Sequence, residues 1–470
     1  MVWAWLRSLT PEGRDAFLYG ASAVFAGVTA VAMGIPLYRE WGRLAVGPYA
    51  AATLLMVVVA LRLRTRRAAG PATGRTAASG GWWRAARLAA FAIALLGATV
   101  VPLALEVVWA SQGDAALHVQ PEVLVVERAG VRAAQGKDPY QVVDRNGHIL
   151  IRHSDIPVYE LYYPYLPGMV VFGFSSGSKV EARLTDARIQ FLLFTVIVAV
   201  IALSRVRPPT DARCRSMQAL TVLPTAALPL ATGGDDMPVA ALMLLGLVAL
   251  QRRRPVLAGL ALGAASTLKF TSWAVVFLAL FAATDRGGRR AVWRYTIAVA
   301  VLVVPVVLPV ALHNPSAFVD NVVRYPLGLA GVASPAASAL PGHILVSAFP
   351  GIHRAYVVVV AVVGLAVLAR ILRRRPPRDA AAVARLTGWV MLIAILLAPA
   401  TRVGYLLYPI NLFLWAWMFR RSSDPIDEQD GPTDSGTGEG QLPSGVSYTS
   451  TEYGVVPAGV VGETTTPASQ

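Results

Sequence analysis

The chain has 470 residues, of which 55% are hydrophobic and 15% charged, and its formal net charge is +15. Soluble domains carry about a quarter charged residues, so this composition excludes an ordinary soluble protein and leaves a polytopic membrane protein. The positive charge does not point to nucleic acid, because the arginines sit in short segments between apolar runs: "RLRTRR" at 62–67, "RRR" at 252–254 and "RRRPPR" at 373–378. That is the pattern that holds basic flanks in the cytoplasm.

The first 20 residues lack a short apolar core followed by a small-residue cleavage site. The first apolar run therefore reads as a retained helix rather than a signal peptide. Apolar runs approach the roughly 18–20 residues that cross a bilayer. They predict helices near 16–36, 45–62, 87–110, 186–204, 215–232, 237–251, 255–268, 270–284, 295–312, 353–372, 386–401 and 404–420. "GLALGAASTLKFTSWAVVFLALF" reads as one bent helix or two short ones. The expected fold class is all-α, with about 12 (11–13) transmembrane helices. The order of segments suggests a helix pair with a basic loop over 1–86, a membrane domain over 87–420 and a tail over 421–470.

With the N-terminus inside, the arginine-dense connections fall on one side and two long segments, 111–185 and 313–352, fall outside. Long loops tend to carry function. In the first, "PEVLVVERAGVRAAQG" has the spacing of an amphipathic helix lying on the interface. "YYPYLPGMVVFGFSSG" is too short to span, and reads as a helix resting on the outer leaflet. The tail is rich in Gly, Ser, Thr and Pro, with eight acids and one arginine. It reads as a disordered cytoplasmic extension, because it cannot bury enough apolar surface to order itself. No internal repeat is visible.

Cys214 is the single cysteine, so no intrachain disulfide or thiolate cluster can form. His118, His148, His153 and His343 show no HExxH-type spacing, which argues against a zinc site, and there is no phosphate loop of the ATPase kind. Trp82, Trp83 and Trp109 read as interfacial anchors, and "AGLALGAA" as a surface for close helix packing.

Ionisable residues in or near membrane segments are costly and are candidates for function. Asp114 follows the third helix, Asp186 and Arg188 open the fourth, and Asp235 and Asp236 occupy the turn of "GGDDMP". Lys269 sits at the bend of "STLKFTS", His313 ends the ninth helix, and Arg402 lies in "APATRVGYLLYP". All are expected at the outer level, with Glu106 one turn inside. Acids there suit a general base or a metal, and cations suit a phosphate. The plainer reading is that charges favour helix ends, where they reach water, and that acids suit helix N-termini.

The succession "GD…PEVLVVERAGVRAAQGKDPY", "YYPYLPGMVVFG", "ARIQFLLF", "GGDDMPVAALMLLGLVAL" and "AGLALGAASTLK" resembles the GT-C superfamily of integral-membrane glycosyltransferases. More narrowly, it is similar to the polyprenyl-phosphate-mannose-dependent mannosyltransferases of actinobacteria, the family 87 type. The closest elements are G-x-DPY, Gly136 to Tyr140, and the Y-x-P element from Tyr163 to Pro167.

The resemblance implies a multispanning fold with an outward-facing site. It also implies inverting transfer of a sugar, mannose in the first instance, from a polyprenyl-phosphate donor to a glycolipid or polysaccharide acceptor of the cell envelope at the plasma membrane. Asp114 matches the catalytic acid and would be the general base, chosen over the nearby Glu122 and Asp138. Lys269, Arg188 and Arg402 are the candidates for the leaving phosphate, as the charge building on it requires. Asp235 and Asp236 would hold a divalent cation (Mg or Mn), the only cofactor left open, or orient the acceptor. Glu122, Asp138, Tyr140, Tyr163, His313 and Tyr405 complete the expected substrate-binding set. Tyr163, Tyr165 and Tyr405 either stack on a sugar or sit at the interface. Membrane lipids are expected partners and nucleic acid is not.

Two helices precede the loop-bearing helix, where the superfamily usually has one, and its usual paired acids are not clear in the first loop. The rival function is a transporter or lipid-linked-sugar flippase, which would put ionisable groups at the midplane, often in repeated halves. The gathering of charge at helix ends, with long loops beside it, favours an enzyme. A non-catalytic scaffold would explain the loops but not the acids and bases.

Overall fold

The computed structural model describes residues 9–68, 81–113, 115–140, 156–177, 182–206 and 210–421. Among the described residues the chain is helical, with no strand and one isolated bridge pair, Ala337 with Thr401. The predicted tail, His148, His153 and Asp114 lie outside the described residues.

The helices in chain order are α1 (Pro11–Ala32), α2 (Pro36–Ala68), α3 (Trp82–Ser111), α4 (Pro121–Ala134), α5 (Ala187–Ser204), α6 (Thr210–Thr221), α7 (Pro224–Thr232) and α8 (Asp236–Gln251). They continue as α9 (Pro255–Leu268), α10 (Phe270–Thr284), α11 (Gly288–His313), α12 (Pro341–Ala348), α13 (His353–Arg374), α14 (Ala380–Leu397) and α15 (Leu407–Arg421). Among the described residues, seven segments are long and apolar enough to cross a membrane: α1, α2, α3, α5, α11, α13 and α14 with their short flanks. The shorter helices α8, α9 and α10 are also apolar. This is an all-α polytopic membrane protein.

Buried residues occur on every side of α8, as a helix apolar all round requires, so it forms the centre of the bundle. In contrast, α13 is as apolar but buries nothing. α1 and α2 approach backbone to backbone at Gly42, where a Cβ would strike Ala26 and Ala30. α3 contains a π-turn at Leu96–Val100, just before Pro102. A proline cannot donate to the carbonyl four residues back, and that carbonyl, on Ala98, instead accepts from Trp41 Nε1 of α2 at 2.8 Å.

One break corrects an expected boundary, and a second decides between the two readings of "STLKFTS". The predicted helix 215–232 is two helices, because Leu223 precedes Pro224 and takes an extended conformation (ψ 151°). The "STLKFTS" segment breaks at Lys269, which is extended, so two short helices meet there.

The 111–185 segment also differs from expectation. α4 buries Val123, Val125, Val126 and Ala129 against the body. "PGMVVFGFSSG" is a 3-10 helix, Pro167–Gly177, wedged against α4 and α9. Gly130 and Gly173 let its backbone touch that of α4, since a Cβ on either would strike the other element. The Leu166 N–H donates to Leu268 O of α9 at 3.0 Å.

At the opposite, arginine-rich end, Asp15 of α1 is 1% exposed. It accepts from Arg87 of α3 at 2.6 Å, from Arg215 of α6, and from Gln218 Nε2 at 2.8 Å. Removing one partner of a buried ion pair leaves the other charges uncompensated, at about 3–5 kcal/mol. Asp15→Ala is therefore expected to lower the melting temperature of the purified protein sharply, and Asp15→Asn to lower it less.

Candidate active site

The ends of α7, α8, α9 and α15, with the start of α4, converge under the long connections. The turn from α7 to α8 needs glycine twice. Gly233 lies against the Gln120 side chain, and Gly234 has φ +90°. This turn delivers Asp235 as the N-cap and Asp236 as the first residue of α8, where a negative charge suits the helix dipole.

Opposite them, the break between α9 and α10 projects Lys269. Its Nζ lies 2.7 Å from Asp235 Oδ2 and also bonds Asp236 Oδ1. Tyr408 of α15 donates to the same Asp236 oxygen at 2.6 Å and accepts from Thr271 Oγ1 at 2.9 Å. The ammonium faces the rings of Tyr165 and Tyr405 at 5.2 and 5.6 Å, a distance at which cation–π attraction operates.

Glu122, in the first turn of α4, is ion-paired through Oε1 with Arg402, while its buried Oε2 has no hydrogen-bond partner. Burial pushes the Glu122 carboxyl above the ordinary carboxylate range, and Arg402 pulls it back. Asp235 and Lys269 also act electrostatically on Glu122, so the two ion-paired groups form one cluster. Gln120 pins the start of α4, donating from Nε2 to Tyr38 OH and to Thr232 Oγ1, both at 2.8 Å.

The other expected residues are placed differently. Arg188 is fully buried and fork-bonded to its own helix cap, Asp186, at 2.7 Å, with Nη1 on His118 O at 2.8 Å. Asp138 accepts from the Tyr140 N–H at 2.9 Å and from Asn314 Nδ2 at 3.3 Å. Tyr140 is buried, its hydroxyl donating to Tyr165 O. The G-x-DPY element thus fastens the loop to its surroundings. Tyr163 is buried between Tyr140 and Tyr165, and His313 is exposed at the end of α11.

The structure therefore brings together Glu122, Asp235, Asp236, Lys269, Arg402 and Tyr405. Sequence reasoning missed Tyr38, Gln120, Thr232 and Tyr408. Tyr408 alone carried a signal, three residues beyond Tyr405 on the same helical approach. The Lys269 ammonium bridges Asp235 and Asp236, the pair read from the sequence as holding a divalent cation or orienting the acceptor. On the other face of α4, a cavity of about 430 Å³ is lined by Glu127, Arg128, Arg132, Glu160, Tyr163 and Ser176.

The model of glycosyltransferase family 87 matches residues 181–399. Over that stretch the chain is similar to glycosyltransferase family 87, which supports a glycosyltransferase activity. No curated protein and no solved structure matches the chain. The matched stretch contains Asp235, Asp236 and Lys269. Glu122 reaches the cluster from before it, and Arg402 and Tyr405 from just after it.

Burial pushes the Glu127 carboxyl of α4 up to about 7, although it accepts from the Ala187 N–H at 3.0 Å. The folded state thus prefers the neutral acid, so stability is fully present below about pH 4 and is lost as pH rises through 7. Because the side chain is only partly buried, the loss expected from Glu127 between pH 5 and 8 is about 1–2 kcal/mol. Melting curves of the glycosyltransferase should show that decline, and Glu127→Gln should flatten it.

Proposed function

We propose that this glycosyltransferase takes its sugar, mannose in the first instance, from a polyprenyl-phosphate donor. It passes the sugar, with inversion, to an envelope glycolipid or glycan at the outer face of the plasma membrane. The observation that carries this reading is the buried group of Lys269, Asp235, Asp236, Glu122 and Arg402, roofed by Tyr165 and Tyr405, in a family 87 chain. The positive-inside arrangement supports the outward sidedness, because the arginine-rich connections lie at the helix ends opposite this group.

In this reading the acceptor hydroxyl attacks the anomeric carbon while Asp114 takes its proton. The bond from that carbon to the phosphate oxygen breaks, and the electron pair stays on the phosphate. A lysine ammonium has three N–H donors. The two aspartates engage two of them, leaving one for a phosphate oxygen, and the Arg402 fork has donors beyond its contact with Glu122. The unpartnered Glu122 oxygen suits a sugar hydroxyl. The cavity beyond α4 shares Tyr163 with the tyrosine wall of the cluster and suits the acceptor glycan.

The test uses purified protein in nanodiscs with polyprenyl-phosphate-mannose and a membrane extract, beside guanosine-diphosphate-mannose. Transfer is expected from the lipid donor alone. Asp114→Asn should reduce it by about 10²–10⁴-fold, the range for loss of a general base, with an unchanged melting temperature. Equal transfer from the nucleotide sugar would overturn the donor assignment. Donor movement across the bilayer without transfer would favour a flippase, and a fully active Asp114→Asn would remove Asp114 as the base.

A further inference from the structure

A second group of ionisable side chains lies between α2, α3 and the segment leading into α4. Glu40 is on the first turns of α2, Glu106 is near the end of α3, and His118 is two residues before the Gln120 pin. His118 Nδ1 is 2.9 Å from Glu106 Oε2 and 3.5 Å from Glu40 Oε2. One ligand atom from each of the three lies within 4.8 Å of the others.

Two of these oxygens are not satisfied by the protein. Glu106 is completely buried, and its Oε1 has no hydrogen-bond partner; the buried Oε2 of Glu40 has none either. A buried carboxylate oxygen without a partner is costly, and two adjacent carboxylates also repel. One imidazole cannot offset both. Arg188 is taken up by Asp186 and otherwise donates to the His118 carbonyl. That bond holds the His118 backbone, and Trp109 flanks the ring at 5.5 Å.

We propose that Glu40, Glu106 and His118 bind one divalent transition-metal cation, Zn2+ in preference to Mn2+. Zn2+ accepts carboxylate oxygen as well as imidazole nitrogen, and a mixed N/O set binds it more tightly than Mn2+. Three protein ligands leave a fourth position for water. The ion would satisfy both orphaned oxygens and neutralise the paired acids. Its ligands come from three chain segments, so it would also tie α2 and α3 to the approach of α4. The HExxH spacing rule misses such a site because its ligands are 66 and 12 residues apart. The inference does not depend on the donor or the direction of transfer.

The test titrates Zn2+ into the untagged, chelator-treated protein in detergent, and measures bound metal after desalting together with the melting temperature. One Zn2+ per chain is expected, with a rise of several degrees. Glu40→Gln, on the least buried ligand, and His118→Gln should each weaken binding at least tenfold and remove the rise. Co2+ in place of Zn2+ should give a visible absorption band that His118→Gln alters, a readout independent of stability. No stoichiometric binding by the wild type, or equal binding by both variants, would overturn the proposal. A carboxylic-acid stretch in the infrared that persists in excess Zn2+ and is lost in Glu106→Gln would mean a proton, not a metal, neutralises the pair.

Discussion

The loop end of this protein depends on one interaction, the Lys269 ammonium held between the carboxylates of Asp235 and Asp236. Charges taken from water cost several kcal/mol each unless paired. Pairing here fixes several elements at once. It sets the α7–α8 turn, holds the break between α9 and α10, and draws in α15 through Tyr408. It also sets the height of Tyr165 and Tyr405 above the ammonium. A break in the middle of an apolar segment is expensive, because both helix ends lose backbone partners. The chain tolerates that break where it delivers a cation to two acids.

The cluster has a charge balance that bears on the proposed transfer. Asp235, Asp236 and Glu122 face Lys269 and Arg402, so ionised carboxylates outnumber cations by one. A donor phosphate entering this group, as proposed, would add further negative charge. It can be held only if the cations keep free N–H donors, which Lys269 and Arg402 do, or if a carboxyl is protonated, the direction in which burial pushes Glu122. Under the proposed function, such a site would bind its donor sparingly in the ground state and favour the moment when charge develops on the leaving oxygen.

Much of this architecture was legible in the sequence. Apolar run lengths and arginine flanks identified the helices, and "STLKFTS" and "GGDDMP" pointed to Lys269 and the aspartate pair. What was missed follows from distance along the chain. Asp15, Arg87 and Arg215 form a buried network across three helices, yet none is near another in sequence. Gln120 and Tyr38 carry no motif. Arg188 was expected to be free for phosphate, but its own helix cap, two residues before, engages it. The break at Pro224 was readable from the proline, but the apolar run around it hid the boundary.

The measurement that tests the account most directly separates fold from chemistry at Lys269. Lys269→Met alone, and Lys269→Met combined with Asp235→Asn and Asp236→Asn, would be compared with the wild type in melting temperature and in sugar transfer. The account predicts that the single variant loses both, and that the fully neutral triple variant regains stability while transfer stays lost. If transfer returned along with stability in the triple variant, the buried charges would serve the fold alone, and the transfer site would have to lie elsewhere.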